Sequence, residues 1–161
     1  MYIKKKIVAL SVAFALALGM ATSAFADGAN DPVQMKYAGN TSKVLNVSAA
    51  TDADVKEGSR LTLYSPTSSN TQRFFSSNHA MFCAVRTDLC FTMNNADSSV
   101  ILSKSRGSDN QYIDIINQAG SRHRIEFVRF GRVMGTYGTA SNSRVYCKTT
   151  AQATVDDAWI Y

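Results

Sequence analysis

Ser59-Arg60-Leu61-Thr62-Leu63-Tyr64 is the stretch from which the architecture can be read, because it recurs. Ser98-Ser99-Val100-Ile101-Leu102-Ser103 and Ser143-Arg144-Val145-Tyr146-Cys147-Lys148 repeat its pattern of a polar pair followed by apolar alternation. Upstream of each lies another strand-like run: Lys43-Val44-Leu45-Asn46-Val47, Leu89-Cys90-Phe91-Thr92-Met93 and Arg132-Val133-Met134-Gly135-Thr136. Downstream comes a third element: Gln72-Arg73-Phe74, Gln111-Tyr112-Ile113 and Asp157-Ala158-Trp159. Corresponding positions lie 46 and 43 residues apart at Leu45, Phe91 and Met134, and 39 and 45 apart at Leu61, Val100 and Val145. The same internal order occurs three times at a spacing near forty residues. That marks three supersecondary units, each burying its apolar side against its neighbours.

A fourth strand precedes each unit, at Val33 to Ala38, Met81 to Val85 and Arg122 to Val128, giving an expected total of twelve. Between strands lie Ser, Thr, Asn, Asp and Gly clusters such as Ser65 to Thr71 and Ser105 to Asn110. Short alternating runs punctuated in this way predict an all-β structure with few helices. Closure of the twelve strands would remove the edges that invite aggregation. The expected inward positions in the strands are Leu45, Val47, Leu61, Leu63, Phe91, Met93, Val100, Leu102, Phe127, Met134, Val145 and Cys147, with period-two alternation giving pairs such as Leu61 with Leu63.

The first 26 residues read differently. Lys4-Lys5-Lys6, an apolar run from Ile7 to Leu18 and then Ala24-Phe25-Ala26 form the three parts of a secretory signal peptide, bacterial in style. The run is too short for a membrane anchor, and no later stretch approaches the roughly 20 apolar residues a span requires. Removal leaves 135 residues, 27–161, enough for one domain. Fourteen basic residues then stand against twelve acidic ones, a net charge of +2 rather than the +5 of the whole chain. Such a balance argues against a nucleic-acid partner.

Export makes disulfides permissible, and three cysteines follow the leader: Cys83, Cys90 and Cys147. Cys83 and Cys90 flank a segment read as a hairpin tip, so a Cys83–Cys90 disulfide is expected. Cys147 alternates inward and is expected to be a free buried thiol. With only His79 and His123 beside them, and no C-x-x-C or H-x-x-x-H spacing, the cysteines make no zinc motif. No cofactor is expected. Nor is catalysis, since the chain has no Ser/His/Asp constellation in strand–turn–helix context and no phosphate-binding Gly loop. The one basic cluster, Arg122, His123, Arg124, Arg129 and Arg132, reads first as a solvated strand face.

Three copies of about forty residues, with a Leu-x-Val-like first strand and a closing Q-x-W, resemble the ricin-B-type β-trefoil lectins. The resemblance spans Val33 to Tyr161, although the first two copies carry Phe74 and Ile113 where the Trp belongs and the third replaces Gln with Asp157. It implies a pseudo-threefold β-trefoil of three four-strand repeats, with Phe74, Ile113 and Trp159 as further inward positions, and a glycan or glycoconjugate as partner. Position by position, the first copy supplies Asn46, Thr62, Tyr64, Thr71 and Gln72 as the implied carbohydrate-binding residues. Asn46 stands where the family prefers a carboxylate, so the hydrogen bond there lacks charge assistance. Tyr64 offers a π face to the C–H bonds of a pyranose. Gln72 has a second reading, that of bracing its own loop, and that reading is favoured.

The second copy offers Thr92, Ser103, Asn110 and Gln111, without an aromatic, and the third Gly135, Lys148, Asp156 and Asp157, without the anchoring side chain. Asp156, Asp157 and Tyr137 are candidates for a different pocket there. Trefoils also serve as protein-binding modules, so a protease inhibitor or the adhesion subunit of a secreted toxin complex is the alternative. A third possibility is a trefoil whose sugar pockets are all inactive.

Overall fold

Each second strand ends up against the second strand of the next copy, and this closes the structure. Arg60 of the first copy bridges Ile101 of the second, Ser99 of the second bridges Tyr146 of the third, and Arg144 of the third bridges Thr62 of the first. Every bridge joins one repeat position to the position two residues further on in the following copy. A cyclic relation of that kind is a threefold axis. The computed structural model in which it is seen describes residues 31–161; the expected signal peptide lies outside the described residues.

Twelve strands are present among the described residues, four to a copy. The first copy holds β1 (Lys36–Tyr37), β2 (Asn40–Val47), β3 (Leu61–Tyr64) and β4 (Phe74–Ser77). The second holds β5 (Ala80–Cys83), β6 (Arg86–Met93), β7 (Val100–Lys104) and β8 (Ile113–Gln118). The third holds β9 (Arg122–Phe127), β10 (Arg132–Thr136), β11 (Val145–Thr149) and β12 (Trp159–Ile160). Antiparallel pairs β2–β3, β6–β7 and β10–β11 lie within copies, whereas β4–β5, β8–β9 and β12–β1 join one copy to the next. The last of these ties both ends of the trefoil together, with Tyr37 opposite Trp159. The fold is a β-trefoil, as the family resemblance implied.

All fifteen positions expected to point inward are buried in one hydrophobic cluster. Met35, Met81 and Ile125 join them from equivalent places in β5, β9 and just before β1, as do Tyr37, Cys83 and Leu89. Near the seam Phe74 meets Phe91 edge to face, with centroids 5.3 Å apart, and Tyr37 tilts onto Trp159 at 5.5 Å. Such offset aromatic pairs add attraction beyond their buried area.

The Cys83–Cys90 disulfide is a misreading that the structure corrects: all three cysteines are free and buried. A bulge shifts the register between Phe82 and Cys83, so Cys90 lies opposite Phe82 while Cys83 lies opposite Arg86. The two cysteines therefore point to opposite faces of the β5–β6 pair. Cys83 enters the central cluster and Cys90 does not. Cys147 is the free buried thiol expected of it. Burial pushes all three thiols above the usual range, which suppresses the reactive thiolate. Ellman's reagent is accordingly expected to label the native protein slowly and to titrate three thiols per chain in denaturant. A count of one in denaturant would restore the disulfide.

Candidate carbohydrate-binding face

The first-copy residues singled out from sequence lie together on the outer side of β2 and β3. Asn46 and Thr62 are directly opposite in the ladder, and so are Val44 and Tyr64. Opposite residues share a face, so Asn46, Thr62 and Tyr64 point the same way, while Leu45, Leu63, Val47 and Leu61 fill the core. Thr71 arrives from the 3-10 turn Asn70–Gln72, and its hydroxyl donates to Asn46 Oδ1 at 3.3 Å. Asn46 Nδ2 donates to the Val47 carbonyl at 2.8 Å and reaches Thr62 Oγ1 at 3.5 Å. Thr62 and Thr71 are buried and Asn46 is half-buried, whereas Tyr64 is 41% exposed. The result is a fixed polar floor beside an open aromatic ring.

Gln72 stands behind this floor. Only 1% of it is exposed, its Nε2 donates to the Ser65 carbonyl at 2.9 Å, and its Oε1 accepts from Thr67 N at 2.7 Å. A further hydrogen bond comes from Gln34 Nε2 at 2.9 Å. The amide is buried and braces the Ser65–Thr71 loop from behind, so it supports Thr71 rather than facing the open surface.

Sequence reasoning missed two members of the same network. Asp52, on the 3-10 turn Asp52–Asp54, accepts from Ser69 Oγ at 3.0 Å, and Ser69 Oγ lies 2.8 Å from Thr71 Oγ1. A carboxylate thus anchors the loop that carries Thr71, linked to Asn46 through Ser69 and Thr71. The Ser69-Asn70-Thr71 hydroxyl turn was a readable signal for the cap. Nothing in the sequence pairs it with Asp52, seventeen residues away.

The other two copies use the equivalent positions internally. In the second, Gln111 Nε2 donates to Thr92 Oγ1 at 3.0 Å and to the Lys104 carbonyl at 2.8 Å. Asn110 is held by the Met93 carbonyl, and Ser103 donates to Glu57 at 2.7 Å. In the third, the place of the missing side chain at Gly135 is taken by the Asp157 carboxylate, onto which a Cβ at Gly135 would collide. Asp157 is paired with Lys148 Nζ at 2.9 and 3.0 Å and also accepts from Thr136 N, Thr154 N and the Tyr37 hydroxyl. Burial pushes the Tyr37 phenol above its ordinary pKa, so it remains a donor. Tyr137 is exposed and covers Lys148 Nζ at 4.7 Å from its ring centre. Asp156 lies outside this pair, 3.8 Å from Arg122.

The basic cluster does not stay together. Arg122, Arg124 and Glu126 share the outer face of β9, as alternation required, with Arg124 3.8 Å from Glu126. Arg129 turns away to Asp109 and to the ring of Tyr112. His123 points inward instead, stacked on Tyr161 at 4.1 Å, with its pKa lowered by burial. Among the described residues no helix is long and apolar enough to cross a membrane, and no group of three or more His, Cys, Asp or Glu side chains is gathered for a metal.

The closed pseudo-threefold arrangement places the chain in the β-trefoil class, and comparison with solved structures gives the same answer. No family model and no curated protein matches the sequence. The designed threefold-symmetric protein ThreeFoil aligns with a TM-score of 0.67 at 15% identity, over 81% of this chain and 95% of that one. The β-trefoil lectin of the Vibrio vulnificus hemolysin/cytolysin, solved with N-acetyl-D-lactosamine bound, gives 0.65 at 15% identity, over 82% and 93%. A mosquitocidal holotoxin gives 0.68 at 14% identity; 81% of this chain aligns, covering 17% of the holotoxin chain. The expected β-trefoil fold therefore holds in three dimensions.

Proposed function

We propose that this protein is a secreted, non-catalytic carbohydrate-binding module whose working pocket is the first-copy face of Asn46, Thr62, Tyr64 and Thr71. The observation that carries the reading is the contrast between copies. The corresponding polar groups make internal hydrogen bonds in all three copies, but the second and third have Ser103 and Lys148 where the first has Tyr64. The first copy keeps an exposed ring next to a preformed hydrogen-bonding floor. A pyranose needs these two things side by side: a π face for its C–H bonds and paired donors and acceptors for its hydroxyls. The likeness to a trefoil lectin crystallised with a glycan supports the same reading. One shallow site gives weak binding, so effective capture calls for several copies on a surface or in an assembly.

The likeness to part of a holotoxin supports a second reading, a trefoil that delivers a protein partner. A glycan array separates the two. The protein is expected to bind at least one glycan, and Tyr64→Ala to weaken that binding about tenfold or more, with a smaller loss for Asn46→Ala. Glycan binding untouched by both substitutions would remove the site assignment. Absence of glycan binding together with a co-purifying protein would favour the second reading.

A further inference from the structure

The pseudo-threefold relation exposes a site that is filled in the first copy and open in the second. Val33 pairs with Phe74, the His79 carbonyl accepts from Ile113 N at 2.7 Å, and His123 pairs with Trp159. These three contacts are equivalent, so the residues that follow, Gln34, Ala80 and Arg124, are equivalent too. The bracing glutamines match as closely. Gln72 holds the Ser65 carbonyl and Thr67 N, and Gln111 holds the Lys104 carbonyl and Arg106 N, 39 residues further on in each case. In the first copy Gln34 Nε2 completes the arrangement by donating to Gln72 Oε1 at 2.9 Å and to the Thr67 carbonyl at 3.1 Å. Ala80 cannot reach. Gln111 Oε1 accepts from Arg106 N at 2.8 Å, and among the described residues no second donor comes to it.

Where the missing side chain would lie there is a cleft of about 210 Å³ between the β4–β5 hairpin and the Ser105–Tyr112 loop. Gln111 is only 3% exposed and lines it, with an acceptor position unused. Its carbonyl oxygen has two lone pairs, one used by Arg106 N, so a second donor can be accepted there. One wall is aromatic: His79 stacks on Tyr112 with centroids 4.5 Å apart and planes 14° from parallel. This wall is held in place. Asn78 and His79 form the two-residue turn of the hairpin, both at positive φ, and His79 Nδ1 lies 3.0 Å from Asp114 Oδ1. The rim carries Ser77, Asn78, Ser105 and Ser108, and no Asp, Glu, Lys or Arg lines the cleft.

We infer that this cleft is a second saccharide site, taking one neutral sugar ring whose hydroxyl donates to Gln111 Oε1 in place of the Gln34 amide. The inference rests on the carbohydrate reading above, but its residues are separate from the first-copy pocket. With no Asp, Glu, Lys or Arg in the lining and His79 engaged by Asp114, a neutral occupant is favoured. The volume is below the ~300 Å³ at which pockets for drug-sized ligands begin, and suits a single ring. Hydroxyls and amides at the rim, with an aromatic wall, match a pyranose for the reasons that apply at Tyr64. Two sites on different sides of the Ser105–Tyr112 and Ser65–Thr71 loops would let one molecule engage a branched or clustered glycan at two points.

The test is an amide chemical-shift titration of the labelled protein with the methyl glycosides of galactose, glucose, mannose and N-acetylglucosamine. At least one is expected to move the amides of Ser77 to Ala80 and of Ser105 to Tyr112. Ala80→Gln restores the first copy's arrangement and fills the cleft from within. It is expected to abolish those shifts and to leave any shifts around Asn46 and Thr71 intact, and His79→Ala is expected to weaken the cleft shifts without filling the space. Tyr64→Ala is expected to do the reverse, sparing the cleft. Shifts confined to the first-copy face would overturn the cleft site and leave that pocket standing. Shifts confined to the cleft would support this site and count against the pocket. No shift at either with any of the four sugars, or cleft shifts that persist in Ala80→Gln, would overturn the inference.

Discussion

Replacing Lys148 with methionine is expected to lower the free energy of unfolding by about 3–5 kcal/mol, a loss characteristic of breaking one half of a buried ion pair. Lys148 is 5% exposed and Asp157 1%, and both carboxylate oxygens lie within 3.0 Å of Nζ. Methionine keeps the volume of the lysine stem but leaves a carboxylate in the protein interior without its counter-charge. The backbone donors Thr136 N and Thr154 N remain, and they soften the loss without cancelling it. The double variant Lys148→Met with Asp157→Asn is expected to recover only part of the deficit: it removes the unpaired charge, but the amide oxygen can accept from one of Thr136 N and Thr154 N while its NH2 meets the other donor. Gly135→Ala attacks the same pair from the other side, since its new methyl group would displace the Asp157 carboxylate. Chemical denaturation measures all three. A cost below about 0.5 kcal/mol for the single variant, as at ordinary surface sites, would mean that the pair does not seal the third copy.

The second large effect is expected at Trp159, where truncation to alanine should cost about 3–5 kcal/mol. This side chain opens β12, a strand of two residues that holds β1 on one side and β9 on the other. Its indole is fully buried, tilts against Tyr37 and donates to the Met134 carbonyl at 3.3 Å. Alanine would leave a cavity at the one place where the last strand meets the first. Trp159→Phe should lose less than half as much, because the equivalent positions in the other copies are filled by Phe74 and Ile113. Thermal unfolding of the two variants tests the ranking. Equal stabilities for wild type and Trp159→Ala would show that closure through β12 contributes little.

The threefold architecture could be read from sequence because its signals are local and repeated. Leu61, Val100 and Val145 each begin an alternating run, and alternation assigns their faces; Phe74, Ile113 and Trp159 were placed inward through the trefoil resemblance, and all fifteen positions are buried. What resisted reading was anything fixed by register or by contacts between loops. The Cys83–Cys90 pairing assumed a regular hairpin, and one bulge rotated the partners to opposite faces. Lys148 was legible only as a position in the third-copy pocket; its buried pairing with Asp157, whose carboxylate occupies the space at Gly135, was not. Asn46, Thr62 and Tyr64 were legible as a group because they sit on two adjacent strands. Asp52 and Gln34 were not, since their links to Ser69 and Gln72 cross between separate loops. The vacancy at Ala80 becomes visible only when the copies are superimposed through their cross-strand contacts.

The most direct test of the central functional claim is a crystal structure of the protein with a glycan that it retains on the array. The account predicts a sugar ring laid with its C–H face against Tyr64 and a hydroxyl at roughly 2.7–3.2 Å from the Asn46 side chain. A bound glycan that touches neither Tyr64 nor Asn46, with the first-copy face left bare, would contradict it.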